Sequence, residues 1–151
     1  MNMNWHKYFL NIAEITSKRS TCFSDPKGAV LVKDRRIIST GYNGAPSGIK
    51  SCLYEDNECR KRKLGYKHGT GHDECKAVHA EANAILSAAL LGISTKDCTL
   101  YCTHKPCSEC TKFIIQAGIN KIYYLHDYKS DFADEMLKQT NIEVIKYEEG
   151  C

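Results

Sequence analysis

The chain has 151 residues, 42% of them apolar, and a formal charge of +3. That length and apolar content fit one domain, residues 1–151, with a real core. The charge is too mild for a duplex-binding surface, no apolar run approaches the roughly 18 residues of a membrane span, and the first seven residues lack a signal-peptide pattern. Nucleic acid and membrane are therefore not expected as partners, and a cytoplasmic location is.

Residues 4–17 carry apolar groups at Trp5, Tyr8, Phe9, Ile12, Ala13 and Ile15, which is helical spacing. Lys27–Lys33 and Arg36–Tyr42 are β-rich runs joined by Asp34-Arg35 and read as a hairpin. Asn43-Gly44-Ala45-Pro46-Ser47-Gly48 then breaks the strand. Residues 49–75 are polar, aperiodic and rich in Cys, His, Lys and Gly. So long a loop in a compact domain needs a reason, and bound metal supplies one. Val78–Leu91 is Ala- and Leu-rich and predicts a helix stopped by Gly92. Thr99–Thr103 predicts a buried strand, and Pro106 opens a helix to about Ala117, ended by Gly118. Lys121–Leu125 follows as a strand, residues 130–139 as a helix capped by Ser130 or Asp131, and Ile142–Lys146 as a last strand. The order α-β-β-α-β-α-β-α-β predicts an α/β protein: a three-layer α/β/α sandwich on a five-stranded mixed sheet, with right-handed crossovers.

Nine cysteines are present: Cys22, Cys52, Cys59, Cys75, Cys98, Cys102, Cys107, Cys110 and Cys151. The odd count and the missing signal pattern argue against a disulfide framework. Metal ligation plus a few buried thiols accounts for them better, with Cys98 and Cys102 as small core residues.

Two short motifs carry the chemistry. His79-Ala80-Glu81 and Pro106-Cys107-Ser108-Glu109-Cys110 each open a predicted helix. One imidazole and two thiolates make three zinc ligands and leave a fourth position for water. A glutamate beside that water can move its protons. H-x-E followed by P-C-x-x-C is the pattern of zinc-dependent nucleobase deaminases. Cys107 and Cys110, three apart in a first helical turn, share a face and gain from the helix dipole as thiolates. His79 and Glu81, two apart, point to nearly opposite sides of a regular helix. The site must therefore wrap the helix end. A structural zinc with a fourth cysteine, or a redox-active Cys-x-x-Cys, are the plainer readings.

His79-Ala80-Glu81-Ala82-Asn83-Ala84-Ile85 and Pro106-Cys107-Ser108-Glu109-Cys110 resemble the catalytic motifs of the cytidine/deoxycytidylate deaminase superfamily. Gly28-Ala29-Val30-Leu31-Val32 and Ile38-Ser39-Thr40-Gly41-Tyr42-Asn43-Gly44-Ala45-Pro46 are similar to its deoxycytidylate branch. The resemblance implies hydrolysis of dCMP to dUMP and ammonia, feeding thymidylate synthesis. It implies a catalytic zinc on His79, Cys107 and Cys110 with Glu81 as the catalytic residue. It also implies a homo-oligomer, usually a hexamer, activated by dCTP and inhibited by dTTP, with Mg2+ accompanying the effectors. Gly41, Tyr42, Asn43 and Gly44 match the segment linked to the allosteric nucleotide; an ordinary turn explains them too. Substrate contacts are expected from Asn43, Ser24, Lys27, Ala80 and Tyr128, with Lys105 a further cation for the phosphate. His104 is expected to line the pocket. A second zinc is implied on Cys22, Cys52, His72 and Cys75, with His68 and Cys59 as rival ligands. Cys59, Cys151 and His126 have no other assigned role. A zinc deaminase of cytidine, guanine or a tRNA base, and a non-catalytic zinc-stabilised nucleotide-binding module, are the alternatives.

Overall fold

The computed structural model describes residues 2–22, 24–53 and 58–149. Cys151 lies outside them. The elements run α1 (Trp5–Ser17), β1 (Gly28–Lys33), β2 (Arg36–Tyr42), α2 (Arg60–Lys63), a 3₁₀ turn (His72–Glu74), α3 (Ala80–Leu90), β3 (Thr99–His104), α4 (Ser108–Gln116), β4 (Lys121–His126), α5 (Asp131–Lys138) and β5 (Glu143–Lys146). No helix among the described residues is long and apolar enough to cross a membrane.

The sheet order is β2-β1-β3-β4-β5. β1 pairs antiparallel with β2 and β3, whereas β3–β4 and β4–β5 are parallel. The sheet is therefore mixed, as expected. Asp34 and Arg35 take φ of 50° and 59°, which gives the tight turn the sense of twist that a two-residue hairpin needs. Alternate residues face opposite sides. Ala29, Leu31, Leu100, Cys102, Ile122 and Tyr124 join a core built with α3, α4 and α5. Val30, Val32, Tyr101, Tyr123 and Leu125 pack with Phe9, Leu10 and Ala13 of α1 on the other face. These are the three expected layers. Cys98 and Cys102 are 0% and 1% exposed, as small core residues should be.

Both helices that begin at a motif start later than the sequence predicts. Val78 exchanges two backbone hydrogen bonds with Gly44, at 2.8 and 3.1 Å, so it continues the sheet edge instead of opening α3. His79 then serves as the N-cap, with an extended backbone at φ −67° and ψ 155°. Cys107 is likewise the N-cap of α4, at φ −74° and ψ 172°. Pro106 precedes the helix; it does not sit in its first turn. Among the described residues of the stretch 49–75 stand α2 and the 3₁₀ turn His72–Glu74, neither announced by the aperiodic sequence.

Topology fixes the position of the site. Because β1 runs antiparallel to both neighbours, its start lies beside the ends of β2 and β3 (Gly28 opposite Tyr42, Ala29 opposite Cys102). Residues 24–27, Asn43 and residues 105–107 therefore converge at one rim of the sheet. The Gly44–Val78 bridge brings the start of α3 to the same rim. The carboxyl ends of strands, where strand direction reverses, are a common place for ligands in α/β sheets.

Candidate active site

The two N-cap positions explain how a His and a Glu two residues apart can face one point. His79 has not yet entered the helix, so helical periodicity does not separate it from Glu81. His79 Nδ1 lies 3.4 Å from Cys107 Sγ and 3.4 Å from Cys110 Sγ. Cys110 Sγ lies 3.5 Å from Glu81 Oε2. His79, Cys107 and Cys110 form the one set of three His, Cys, Asp or Glu donors gathered within 4.8 Å among the described residues.

This donor set fits zinc. Sulfur at about 2.3 Å and imidazole nitrogen at about 2.0–2.1 Å from a tetrahedral ion stand about 3.6 Å apart, close to the observed 3.4 Å. The electrostatics point the same way. The neighbouring Cys110 thiol first, then the His79 imidazole, draw the pKa of Cys107 down to about 3, against the effect of burial. Facing that sulfur, and buried, Cys110 is pushed up. The Cys107 sulfur also raises the His79 imidazole, against the effect of burial. Glu81 is 5% exposed, and burial raises its carboxyl above the ordinary range. Thiolate and carboxylate character packed together in a buried place is costly unless a cation sits among them.

A cavity opens over these groups. Its floor carries His79, Ala80, Glu81 and Cys107. One wall comes from the β1 approach and the end of β2, with Ser24, Asp25, Lys27 and Asn43. Lys105 and Tyr128 line it from the ends of β3 and β4. The long loop closes it with Lys61, His68, Gly69 and His72.

The sequence pattern of the cytidine and deoxycytidylate deaminase zinc-binding region matches residues 3–126. The chain belongs to this family. It is 42% identical over 129 residues to the deoxycytidylate deaminase of Mycobacterium phage D29, covering 80% of this chain and 94% of the phage protein. It is 36% identical over 152 residues to ComE operon protein 2 of Bacillus subtilis, covering 97% and 72% respectively. Among solved structures, the dCMP deaminase of cyanophage S-TIM5 in complex with dCMP and dUMP superposes with a TM-score of 0.77 at 33% identity, covering 97% of this chain and 99% of that one.

Within this family fold, the expected substrate residues Ser24, Lys27, Asn43, Ala80 and Tyr128 all line the cavity, as does Lys105. His104 is not among the lining residues; its ring packs 5.0 Å from that of His126. Asn43 is 8% exposed and nearly saturated by the protein. Its Oδ1 accepts from Ser20 Oγ and the Lys27 N–H at 2.7 Å each, and its Nδ2 donates to the Asp25 carbonyl at 2.9 Å. One amide hydrogen is left for a ligand. Gly41, Tyr42 and Gly44 each have a backbone duty. A Cβ on Gly41 would collide with the Ala80 carbonyl and the Ala84 amide, and one on Gly44 with Thr21 Oγ1. The Tyr42 carbonyl accepts from Asn83 Nδ2 at 2.7 Å.

Cys22, Cys52, His72 and Cys75 are not drawn into one ligand shell. Cys22, Cys59 and Cys75 all act on the Cys52 thiol, so these sulfurs share a neighbourhood, and His72 lines the cavity with Cys22, Cys59 and Cys75. Its ring meets His79 edge-on at 5.5 Å. Asp25 and Lys61 are wall residues that sequence reasoning missed, and His68 was read only as a rival metal ligand. Lys61 and His68 come from the aperiodic loop, where no pattern says which side chains turn inward. Asp25 adjoins two expected contacts, and that adjacency was its available signal.

Proposed function

We propose that the protein hydrolyses dCMP to dUMP and ammonia. The observation that carries this reading is the placement of His79 Nδ1 at 3.4 Å from two cysteine sulfurs, beside a buried Glu81. The S-TIM5 relative, crystallised with dCMP and dUMP, supports the choice of substrate.

His79, Cys107 and Cys110 would hold the zinc. A zinc ion there would supply a water of lowered pKa, about 7. Glu81 Oε2 is placed to take a proton from the attacking water and pass it to the ring nitrogen next to the reacting carbon. Oxygen bonds to the carbon that bears the amino group, and the carbon–nitrogen bond breaks. Glu81 then carries the second proton to the departing amine, which leaves as ammonia. Burial favours the protonated form of Glu81, which suits a group that must give protons back as well as take them. Asn43 steadies the nucleotide with its remaining amide hydrogen. Ser24, Lys27 and Lys105 face the 5′-phosphate, and Tyr128 flanks the ring.

Assembly as a hexamer, activation by dCTP with Mg2+, inhibition by dTTP and a cytoplasmic place before thymidylate synthesis complete the proposal; the family resemblance supports them. Rate against dCMP is then sigmoidal without dCTP and nearly hyperbolic with it, and hyperbolic curves in both conditions overturn the regulation. A second zinc on Cys22, Cys52, His72 and Cys75 is also proposed. Two equivalents of zinc per chain support it and one overturns it.

The test of activity is a panel of dCMP, deoxycytidine, cytidine and guanine followed by ultraviolet absorbance. Preferential loss of dCMP is expected. No loss of dCMP overturns the reading.

A further inference from the structure

The cation-rich end of the cavity contains one carboxylate, and its contacts are specific. Asp25 Oδ2 stands 3.1 Å from Lys27 Nζ and 3.0 Å from His68 Nε2. A single oxygen thus takes two nitrogen partners, one from the approach to β1 and one from the long loop. The Asp25 main chain is fixed: Asn43 Nδ2 donates to its carbonyl, and Asn43 Oδ1 accepts the Lys27 N–H two residues on. Only the Asp25 side chain is left to move. Lys61 faces the same space and makes no ion pair among the described residues, whereas Lys105 is already paired with Asp134 at 2.6 Å.

Two nitrogen donors converging on one anionic oxygen is how proteins hold a phosphoryl oxygen. Burial pushes the Asp25 carboxyl up, and Lys27 and His68 more than offset this, holding it below its usual range. It is therefore an anion at neutral pH, bound where an incoming phosphate must bind. Two anions cannot share those nitrogens.

Resting on the reading of a 5′-nucleotide substrate, we propose that Asp25 is a built-in competitor for the phosphate. Its Oδ2 holds the Lys27 and His68 contacts that a 5′-phosphoryl oxygen takes over. Substrate entry is then an exchange of anions. The phosphate releases Asp25, gains Lys27, His68 and Lys61, and so ties the long loop to the β1 rim across the nucleotide. A neutral 5′-hydroxyl cannot displace the carboxylate. Asp25 thereby sets the KM for the nucleotide without touching the reacting ring.

The test compares wild type with Asp25→Asn, each checked for zinc content and folded circular dichroism. The readouts are KM and kcat for dCMP, the affinity of deoxycytidine as substrate or competitive inhibitor, and inhibition by inorganic phosphate. Asp25→Asn is expected to lower KM for dCMP and the inhibition constant of phosphate about fivefold, the scale of a partly exposed ion pair. The values for deoxycytidine and kcat for dCMP stay near wild type. Asp25→Ala follows in the same direction, and His68→Gln raises KM for dCMP. An unchanged or raised KM for dCMP in both Asp25 variants overturns the proposal and makes Asp25 a brace for the cations. Failure of wild type to process dCMP overturns instead the functional reading beneath it.

Discussion

Cys110 Sγ lies 3.5 Å from Glu81 Oε2, so the second residue of α3 and the third of α4 meet across the helix ends. The proposed metal ligand and the proposed proton-moving carboxylate are thereby adjacent, and both are buried. Without an ion, burial and their neighbours push Glu81 and Cys110 toward their protonated forms, and the link that an ion would make between the two helix ends is lost. Stripping zinc with a chelator should abolish turnover and lower Tm by roughly 5 °C or more. Added zinc should restore both, and Cys107→Ser should resist that rescue. Differential scanning fluorimetry beside an ammonia assay checks this; full activity in protein shown to be metal-free contradicts it.

Gly41 tests how the sheet supports the site. β2 approaches α3 so closely there that any side chain meets the backbone of Ala80 and Ala84. Gly41→Val should destabilise the fold by about 1–3 kcal/mol, as overpacking does. It should also weaken zinc binding, because the displaced turn begins directly after His79, its N-cap, and shifts that imidazole. Urea unfolding and metal analysis measure the two effects. Unchanged stability would mean that α3 is free to shift.

The expected architecture is legible in the sequence because the central strands are short continuous apolar runs buried on both faces, as in Ala29-Val30-Leu31-Val32, set between helical stretches and turn residues. The metal donors are legible because a motif of this kind fixes residue types at fixed spacing. The exact helix starts are not, since His79 and Cys107 are caps with extended backbone, and the Gly44–Val78 bridge that makes them so is a tertiary contact. The far wall is not legible either. Lys61, His68 and His72 turn toward the cavity from a loop without periodicity, and Asp25 acquires meaning only when Lys27 and His68 reach it.

His104 predicts a pH effect on stability. Burial first, then Lys27 and His126, lower its pKa to about 4 from 6.5. The unfolded chain therefore binds a proton below pH 6.5 that the folded chain refuses until about pH 4. Stability should fall as pH drops through that window. The gap is worth about 3 kcal/mol at most, reduced to about 1–2 kcal/mol by partial exposure. Urea unfolding at pH 7 and pH 5 should show the loss in wild type and a smaller one in His104→Asn. Equal losses in both would place the acid sensitivity elsewhere.

The most direct measurement of the whole account sets wild type beside Glu81→Gln, with zinc content and ammonia release from dCMP determined on the same samples. The substitution keeps the size of the side chain and removes its capacity to take a proton. Equal zinc in both proteins, with dCMP turnover in wild type and a loss of at least about a hundredfold in the variant, is the predicted result. Undiminished turnover in a zinc-loaded Glu81→Gln protein would contradict it.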